Sequence, residues 1–339
     1  MGKGAKIIQW ITVISFFLML SFPVLNSYFG LVAEKEVKEN RNLAERPEFD
    51  INSLDGYTEE FDMYYSDNFS MRNHLIGWSG YLDYSLFKIS PSPRVVVGTN
   101  GWLYNKLSLP LYEGAVQYSD EELERIRIEL IKRSEWCNEH DMKFYVAVVP
   151  NKMNMYSENL PRTAIKKNPT GKYEQVVSLN DDTLVRIIDV KECLLRNLEH
   201  EYKLFQVTDD HWNDLGAFYG YRKIMERLQN DFPQLAPQEI ENYSIGTYEK
   251  DETMSELLGL NQKFTEQFVH LEKKQKTNAI FGEEKGYPSK GGIDNGEHEI
   301  VYINKDGKPL KCLIIRDSFS IGLMKFFKED FQTLVLIHD

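Results

Sequence analysis

Two short stretches of this sequence carry side chains that together could run base-assisted attack by a serine hydroxyl. The first is Thr208-Asp209-Asp210-His211-Trp212-Asn213-Asp214. Before it, Tyr202 to Val207 reads as a short strand; after it, Leu215, Phe218, Met225 and Leu228 recur at helical spacing. Asp209 and His211 then stand at a strand-to-helix junction, two positions apart, where an extended backbone points both side chains to one face. The carboxylate can hold one imidazole nitrogen as a donor and leave the other free as a base. Asn213 or Asp214 can cap the helix that follows and so fix the direction of the ring. The second stretch begins with Lys311 to Arg316, which reads as a buried strand broken by Asp317-Ser318-Phe319-Ser320. Ile321 to Phe327 then reads as a short apolar helix. Ser318 would stand on a tight turn at a helix N-terminus, whose N–H groups favour a developing negative charge. A lone histidine among acids, or an Asp-Ser pair before a helix, is more often an ordinary cap or surface arrangement. The two motifs together are more specific than either alone.

The elements that must position these groups are bounded first by composition. A chain of 339 residues buries a sizeable core, and its 52 acidic against 40 basic residues give a formal charge of -12. That balance argues against a nucleic-acid partner, whose binding rests largely on phosphate neutralisation. Cys137, Cys193 and Cys312 have no metal-ligand spacing, and their apolar surroundings suggest buried free thiols. No Cys/His cluster suggests zinc, and of the seven histidines only His211 sits in a motif.

Ile7 to Leu25 is uncharged and apolar over about the 20 residues that cross a bilayer as a helix. It reads as a membrane anchor or an uncleaved signal. A cleavable signal is disfavoured because Leu31-Val32-Ala33 lacks the small residue expected two positions before Ala33. Lys3 and Lys6 favour an inside N-terminus, against Lys35, Lys38, Arg41 and Arg46 on the other flank. The large domain that follows is expected to be extracytoplasmic.

Beyond the anchor, residues 34–46 read as a charged stalk ended by Pro47. Aromatic residues recur from Tyr57 to Phe87, which predicts amphipathic helices with the rings in core packing; a partner- or sugar-binding surface is the alternative. Asn100-Gly101 predicts a hairpin turn. Ser119 with Glu122 has capping-box spacing, ahead of an apolar face of Leu123, Ile126, Leu130 and Ile131. Lys143 to Pro150 is almost continuously apolar, as a strand buried on both faces would be. Further apolar runs at 185–188, 204–207, 313–315 and 334–337 alternate with helical patterns, which predicts an α/β layered sheet. Residues 238–309 are polar and rich in Lys and Glu, with a Gly- and Lys-containing run at 285–292, and read as an irregular excursion. A surface hairpin is expected near its end, from His298 to Lys308.

In order along the chain stand Glu39-Asn40-Arg41-Asn42-Leu43-Ala44, Pro47, Asp67-Asn68-Phe69 with Arg72, and Val97-Gly98-Thr99-Asn100-Gly101-Trp102-Leu103-Tyr104. They are followed by Val149-Pro150-Asn151-Lys152, Tyr156, Leu160-Pro161, Asp209-Asp210-His211-Trp212 and Arg316-Asp317-Ser318-Phe319. With these residues the chain resembles the alginate O-acetyltransferase AlgX/AlgJ family, SGNH hydrolase-like proteins related to the DHHW proteins. The resemblance implies an α/β SGNH hydrolase-like sheet flanked by helices, with a circularly permuted motif order behind the N-terminal membrane anchor. It implies Ser318 as nucleophile, His211 as general base and Asp209 as the residue orienting it. Triads are recognised by geometry and not by chain order.

The sequence departs from the family at three places. Asp210 stands where the DHHW name has a histidine, and Arg316 where a glycine usually precedes Asp-Ser. The chain stops at His338-Asp339, where relatives continue with another helix, so a shortened end is expected, and no carbohydrate-binding module follows. Lys152 and Asn154, just past a strand end, either line the site or lie on the surface. The expected organisation is an anchor over 1–30, a stalk and helical extension over 31–93, and an SGNH hydrolase-like domain over 94–339 containing the insertion 238–309.

By the resemblance the activity is an O-acetyl transfer through a serine acyl-enzyme onto an exported polysaccharide, without cofactor or metal. A membrane-bound acyltransferase of the MBOAT class would supply the acetyl group. The rival readings are an extracytoplasmic carbohydrate acetylesterase and a noncatalytic polysaccharide-binding or assembly protein.

Overall fold

The N-terminal apolar run forms one continuous helix, α1 (Lys3–Phe29), in a computed structural model that describes residues 3–33, 42–49, 56–87, 89–199, 201–250, 253–258, 266–282 and 299–338. Its 24-residue span Lys6–Phe29 has a mean hydropathy of 2.0 in its most apolar window, with none of that window buried. At 1.5 Å per residue it reaches about 36 Å, enough to cross the hydrocarbon of a bilayer.

The chain divides into two compact units, Met1–Pro93 with Ser255–Lys263, and Arg94–Met254 with Phe264–Asp339. In the first, α2 (Tyr57–Asn68) and α3 (Arg72–Leu82) follow α1. Asn26, at the end of α1, donates to the Ser70 hydroxyl (2.9 Å) and accepts from Val32 N–H (2.6 Å), which ties the helix to the α2–α3 turn. The Asp67 carboxylate accepts from Ala44 N–H (2.9 Å) and Asn68 donates to Ala44 O (2.9 Å), so two separated motifs of the sequence meet here. The aromatic residues of α2 do not form the core that their spacing predicts. None of its residues is buried, and Phe49, Tyr57, Phe61, Tyr65 and Phe69 form a ladder of ring contacts along the helix. Residues 34–41 of the expected stalk lie outside the described residues.

The second unit opens with β1 (Val95–Val97) and β2 (Leu103–Asn105), an antiparallel hairpin whose Asn100 and Gly101 both have positive φ, as the Asn-Gly signal predicts. Helix α4 (Asp120–Glu139) starts at the predicted capping box, with Ser119 and Glu122 each accepting the other's backbone N–H. Strand β3 (Val146–Val148) leads into the short α5 (Lys152–Met155) and pairs in parallel with β4 (Ile187–Asp189). β3 is half-exposed, contrary to the expectation of a strand buried on both faces, and among the described residues β4 is the strand paired with it.

Helix α6 (Asp214–Asp231) is the centre of the core. Leu215, Phe218, Met225 and Leu228 are buried on its predicted apolar face. Residues 238–309, expected as an irregular excursion, carry the antiparallel ribbon of β5 (Tyr243–Lys250) and β6 (Glu266–Lys273), then β7 (Ala279–Phe281) and β8 (Glu299–Asn304). The run 285–292 lies outside the described residues. β9 (Lys308–Arg316), α7 (Ser320–Asp330) and β10 (Phe331–His338) complete a four-stranded mixed sheet in the order β7-β8-β10-β9.

Two expectations fail in this sheet. The hairpin expected at 298–308 is not formed, because β10 lies between β8 and β9, antiparallel to one and parallel to the other. β9 is an edge strand, not a buried one, with Leu313 60% and Ile315 70% exposed. Its apolar residues reflect alternation on an edge and not double-sided burial. The three cysteines are free and partly buried.

Candidate active site

Tyr202 to Val207 was expected as a strand ahead of Asp209, but a single antiparallel bridge, Phe205 to Trp212, is all the β structure it holds. Residues 206–211 form a turn closed at its base by Gln206 N–H donating to His211 O (3.0 Å) and Asn213 N–H to Leu204 O (3.0 Å). Asp209 and His211 face each other through this turn and not through an extended backbone. One oxygen of Asp209 accepts both the His211 backbone N–H (3.0 Å) and the ring Nδ1–H (2.5 Å). Asn213 is the helix cap, accepting from Leu215 and Gly216 N–H, while Asp214 binds Leu271 N–H and Lys325.

With the proton on Nδ1, Nε2 of His211 is an acceptor, and the Ser318 hydroxyl lies 2.8 Å from it, 107 positions away in the chain. Asp209, His211 and Ser318 thus form one continuous hydrogen-bonded relay. Ser318 is exposed at the mouth, while the Asp209 side chain is 11% and the His211 side chain 33% exposed. The serine stands on the turn after β9, where Asp317 accepts from Phe319 N–H (3.1 Å) and Ser318 O accepts the first bond of α7 from Ile321 N–H (3.2 Å).

Trp212 ties the histidine turn to the serine turn. Its Nε1–H donates to Phe319 O (3.0 Å), and its ring meets Phe319 edge-on at 5.7 Å. The indole occupies a slot that two glycines leave open. A Cβ on Gly220 of α6 would lie 2.7 Å from the ring, and one on Gly322 of α7 would lie 3.0 Å from Nε1. Phe319 in turn lies 4.8 Å from the imidazole and covers one side of it.

Burial works against the His211 imidazolium, yet the hydrogen bond and charge of Asp209, with Asp210 and Asp317 further off, outweigh it and hold the ring above its ordinary value. Burial likewise opposes the Asp209 carboxylate, but its bonds to His211 and the charges of His211 and Lys152 keep it below the usual range. Asp210, in the position of the missing histidine, is raised mainly by burial and contributes charge rather than a bond to the relay.

Lys152 neither lines the site mouth nor lies on the surface: it is completely buried. Its ammonium donates to three main-chain carbonyls of the histidine turn, Gln206 (2.9 Å), Val207 (3.1 Å) and Asp209 (2.6 Å). Asn154 sits on the same short helix, half-buried, its N–H donating to the Asn151 cap. The rings of Trp102 and Tyr104 flank the ammonium at 5.2 and 5.0 Å. Tyr104 donates to Tyr156 O (2.6 Å), and Tyr156 accepts from Leu204 N–H (2.9 Å). The Val97–Tyr104, Val149–Lys152 and Tyr156 motifs therefore converge beneath the turn that carries Asp209 and His211. From the other side Glu266, the first residue of β6, accepts from Val207 N–H (2.5 Å), Thr208 N–H (3.0 Å) and the Thr208 hydroxyl (2.7 Å). Sequence reasoning missed Lys152 and Glu266 as supports of the site. The lysine two positions past the end of an apolar run was the available signal for the first; a glutamate in a polar stretch gives none for the second.

A family model described as an SGNH hydrolase-like domain of acetyltransferase AlgX matches residues 95–286, a stretch that includes Asp209 and His211. No curated protein sequence matches the chain. Among solved structures, Bacillus cereus PatB1 with a sulfonyl adduct is similar at 18% identity and a TM-score of 0.52, over 72% of this chain and 85% of that one. A DHHW family protein from Eubacterium siraeum aligns at 18% identity and a TM-score of 0.46, over 73% of this chain and 86% of that one. The O-acetyltransferase domain of Pseudomonas putida AlgJ aligns at 14% identity and a TM-score of 0.41, over 72% and 80%. The similarity to PatB1 is one of fold.

Proposed function

The chain belongs to the SGNH hydrolase-like family of acetyltransferase AlgX, and from that premise we propose that it transfers an acetyl group through Ser318 onto a polysaccharide hydroxyl outside the cytoplasm. The observation that carries this reading is the unbroken relay from Asp209 through His211 to the Ser318 hydroxyl.

In the first step His211 Nε2 takes the Ser318 proton as Oγ attacks the donor carbonyl, and the imidazolium is stabilised by Asp209. The proton passes to the departing donor group, leaving an acetyl ester on Ser318. In the second step a sugar hydroxyl gives its proton to His211 and attacks that ester, and Ser318 recovers the proton as it leaves. The Ser318 backbone N–H is the oxyanion donor assigned to both tetrahedral intermediates. Asp317 stays on the helix N-terminus, where its charge also favours the imidazolium.

The partners follow from the same reading. Helix α1 anchors the protein as a single span with the catalytic unit on the outer face; an MBOAT-type membrane acyltransferase supplies acetyl, and an exported polysaccharide accepts it. The three-part organisation read from the sequence, with the SGNH hydrolase-like domain over 94–339 and its motifs in permuted order, is part of this proposal.

The test is acetylation of the full chain in detergent by an activated acetyl ester, with the adduct located by mass mapping. Acetyl on Ser318, absent in Ser318→Ala and passed to an added oligosaccharide faster than to water, is expected. An unmodified Ser318 would overturn the serine mechanism, and release of acetate without transfer would make the protein an esterase.

A further inference from the structure

The turn that carries Asp209 and His211 is not itself part of a strand: one bridge lies at its base, and Leu103 N–H of β2 donates to Val207 O (2.9 Å). Further bonds to its tip come from charges of opposite sign on opposite sides. The Lys152 ammonium takes the carbonyls of Gln206, Val207 and Asp209, and the Glu266 carboxylate takes the N–H groups of Val207 and Thr208 with the Thr208 hydroxyl. All three ammonium protons are used, and both carboxylate oxygens. Neither side chain contacts Ser318 or the imidazole in any bond of the relay, and Lys152 and Glu266 are 0% and 8% exposed. Burying each ion carries a desolvation cost that only well-made bonds repay, and here every ammonium proton and both carboxylate oxygens are spent on this turn.

We infer that Lys152 and Glu266 are positioning residues for the reaction, a two-sided clamp that sets the 206–209 backbone so that the Asp209 carboxylate meets His211 and the ring meets Ser318. This rests on the serine mechanism proposed above. The clamp is also sensitive to protonation. Burial pushes the Lys152 ammonium down to about 8, with Asp210, Glu266 and Asp209 opposing that fall and Lys203 adding to it. The facing Tyr104 phenol is pushed up by burial and stays neutral through this range. A neutral amine has two protons for three carbonyls, so Lys152 loses one of its three bonds to the turn as pH rises past that point.

The test uses the full chain in detergent, following Ser318 acylation by p-nitrophenyl acetate and the His211 ring titration by NMR. Lys152→Met, close in volume and uncharged, should lower the acylation rate at saturating ester by about 100-fold, the loss expected of a misplacement near 1 Å, with KM little changed. His211 should then titrate closer to its ordinary value, because Asp209 no longer faces it squarely. Glu266→Gln should shift both readings in the same direction. The wild-type rate should fall as pH rises past about 8 while circular dichroism stays constant. Should Lys152→Met fail to fold, Glu266→Gln and the wild-type profile decide. A folded Lys152→Met with wild-type rate and wild-type His211 titration overturns the inference, as does a wild-type rate that stays flat through the alkaline range. If wild-type Ser318 takes no acetyl at all, the serine mechanism fails. The His211 titrations of wild type and Lys152→Met still decide the clamp on their own.

Discussion

Replacing Asp209 by Asn tests the relay at its least exposed member. The amide keeps the volume of the carboxylate, and its carbonyl can still accept the His211 backbone N–H that Asp209 accepts at 3.0 Å. Lys152 is bonded to the main-chain carbonyl of residue 209 and is indifferent to the side-chain change. What changes is the group facing Nδ1. With the amide oxygen on the backbone N–H, its nitrogen turns a donor toward the ring, and Nδ1 becomes the acceptor. The proton then sits on Nε2, the atom 2.8 Å from Ser318 Oγ, and no lone pair remains there to accept the serine proton. The wrong tautomer in a serine relay costs about 10⁴-fold in rate. At 1.36 kcal/mol per tenfold, this is about 5.4 kcal/mol of transition-state stabilisation. The assay is the pre-steady-state acylation of Ser318 by an activated acetyl ester, with the thermal melt of each protein as a control for folding. An Asp209→Asn protein that melts as wild type does and acylates within tenfold of its rate would refute the assigned roles of all three residues.

Four further outcomes are expected. Acylation should rise with pH through a midpoint above the ordinary imidazole value of about 6.5, since His211 is held protonated to higher pH and only the neutral ring accepts a proton. A midpoint at or below that value in the rate profile would contradict it. Gly216→Ala would place a Cβ 2.2 Å from Leu204 O, so the melt should show a loss of about 1–3 kcal/mol with no new function gained. Trp212→Phe keeps a ring in the Gly220–Gly322 slot but leaves Phe319 O without its donor. Chemical denaturation should read this as about 1–3 kcal/mol, with acylation lowered through the serine turn. Removing residues 3–29 should free the chain from membranes in a flotation assay; a truncated chain that still floats with lipid would place the membrane contact elsewhere.

Much of the architecture follows from signals that act over a few residues. The apolar spacing of Leu215, Phe218, Met225 and Leu228 determined α6, Ser119 with Glu122 determined the start of α4, and Asn100-Gly101 determined the first hairpin. The pairing of Asp209 with His211 was legible too, since the two stand two positions apart, but the turn through which they meet is bonded by Lys152 and Glu266 from distant parts of the chain. Apolar runs were less informative, because a run reports hydrophobicity and not how many neighbours a strand acquires. Hence 143–150 and 311–316 read as buried strands, while β3 is half-exposed and β9 lies on an edge.

The sequence by itself determined which residues could do the chemistry, the apolar helix at the N-terminus and the polarity of the surface. Tertiary structure decided the rest: that Ser318 reaches His211 across 107 positions, that Trp212 bridges their two turns, and that Lys152 and Glu266 grip the turn from opposite sides. The physical reason is the range of the interactions. Periodicity and capping are fixed by neighbours within a turn of helix. The fate of a buried charge depends on carbonyls and N–H groups more than fifty positions away, which only the folded chain brings within hydrogen-bonding distance.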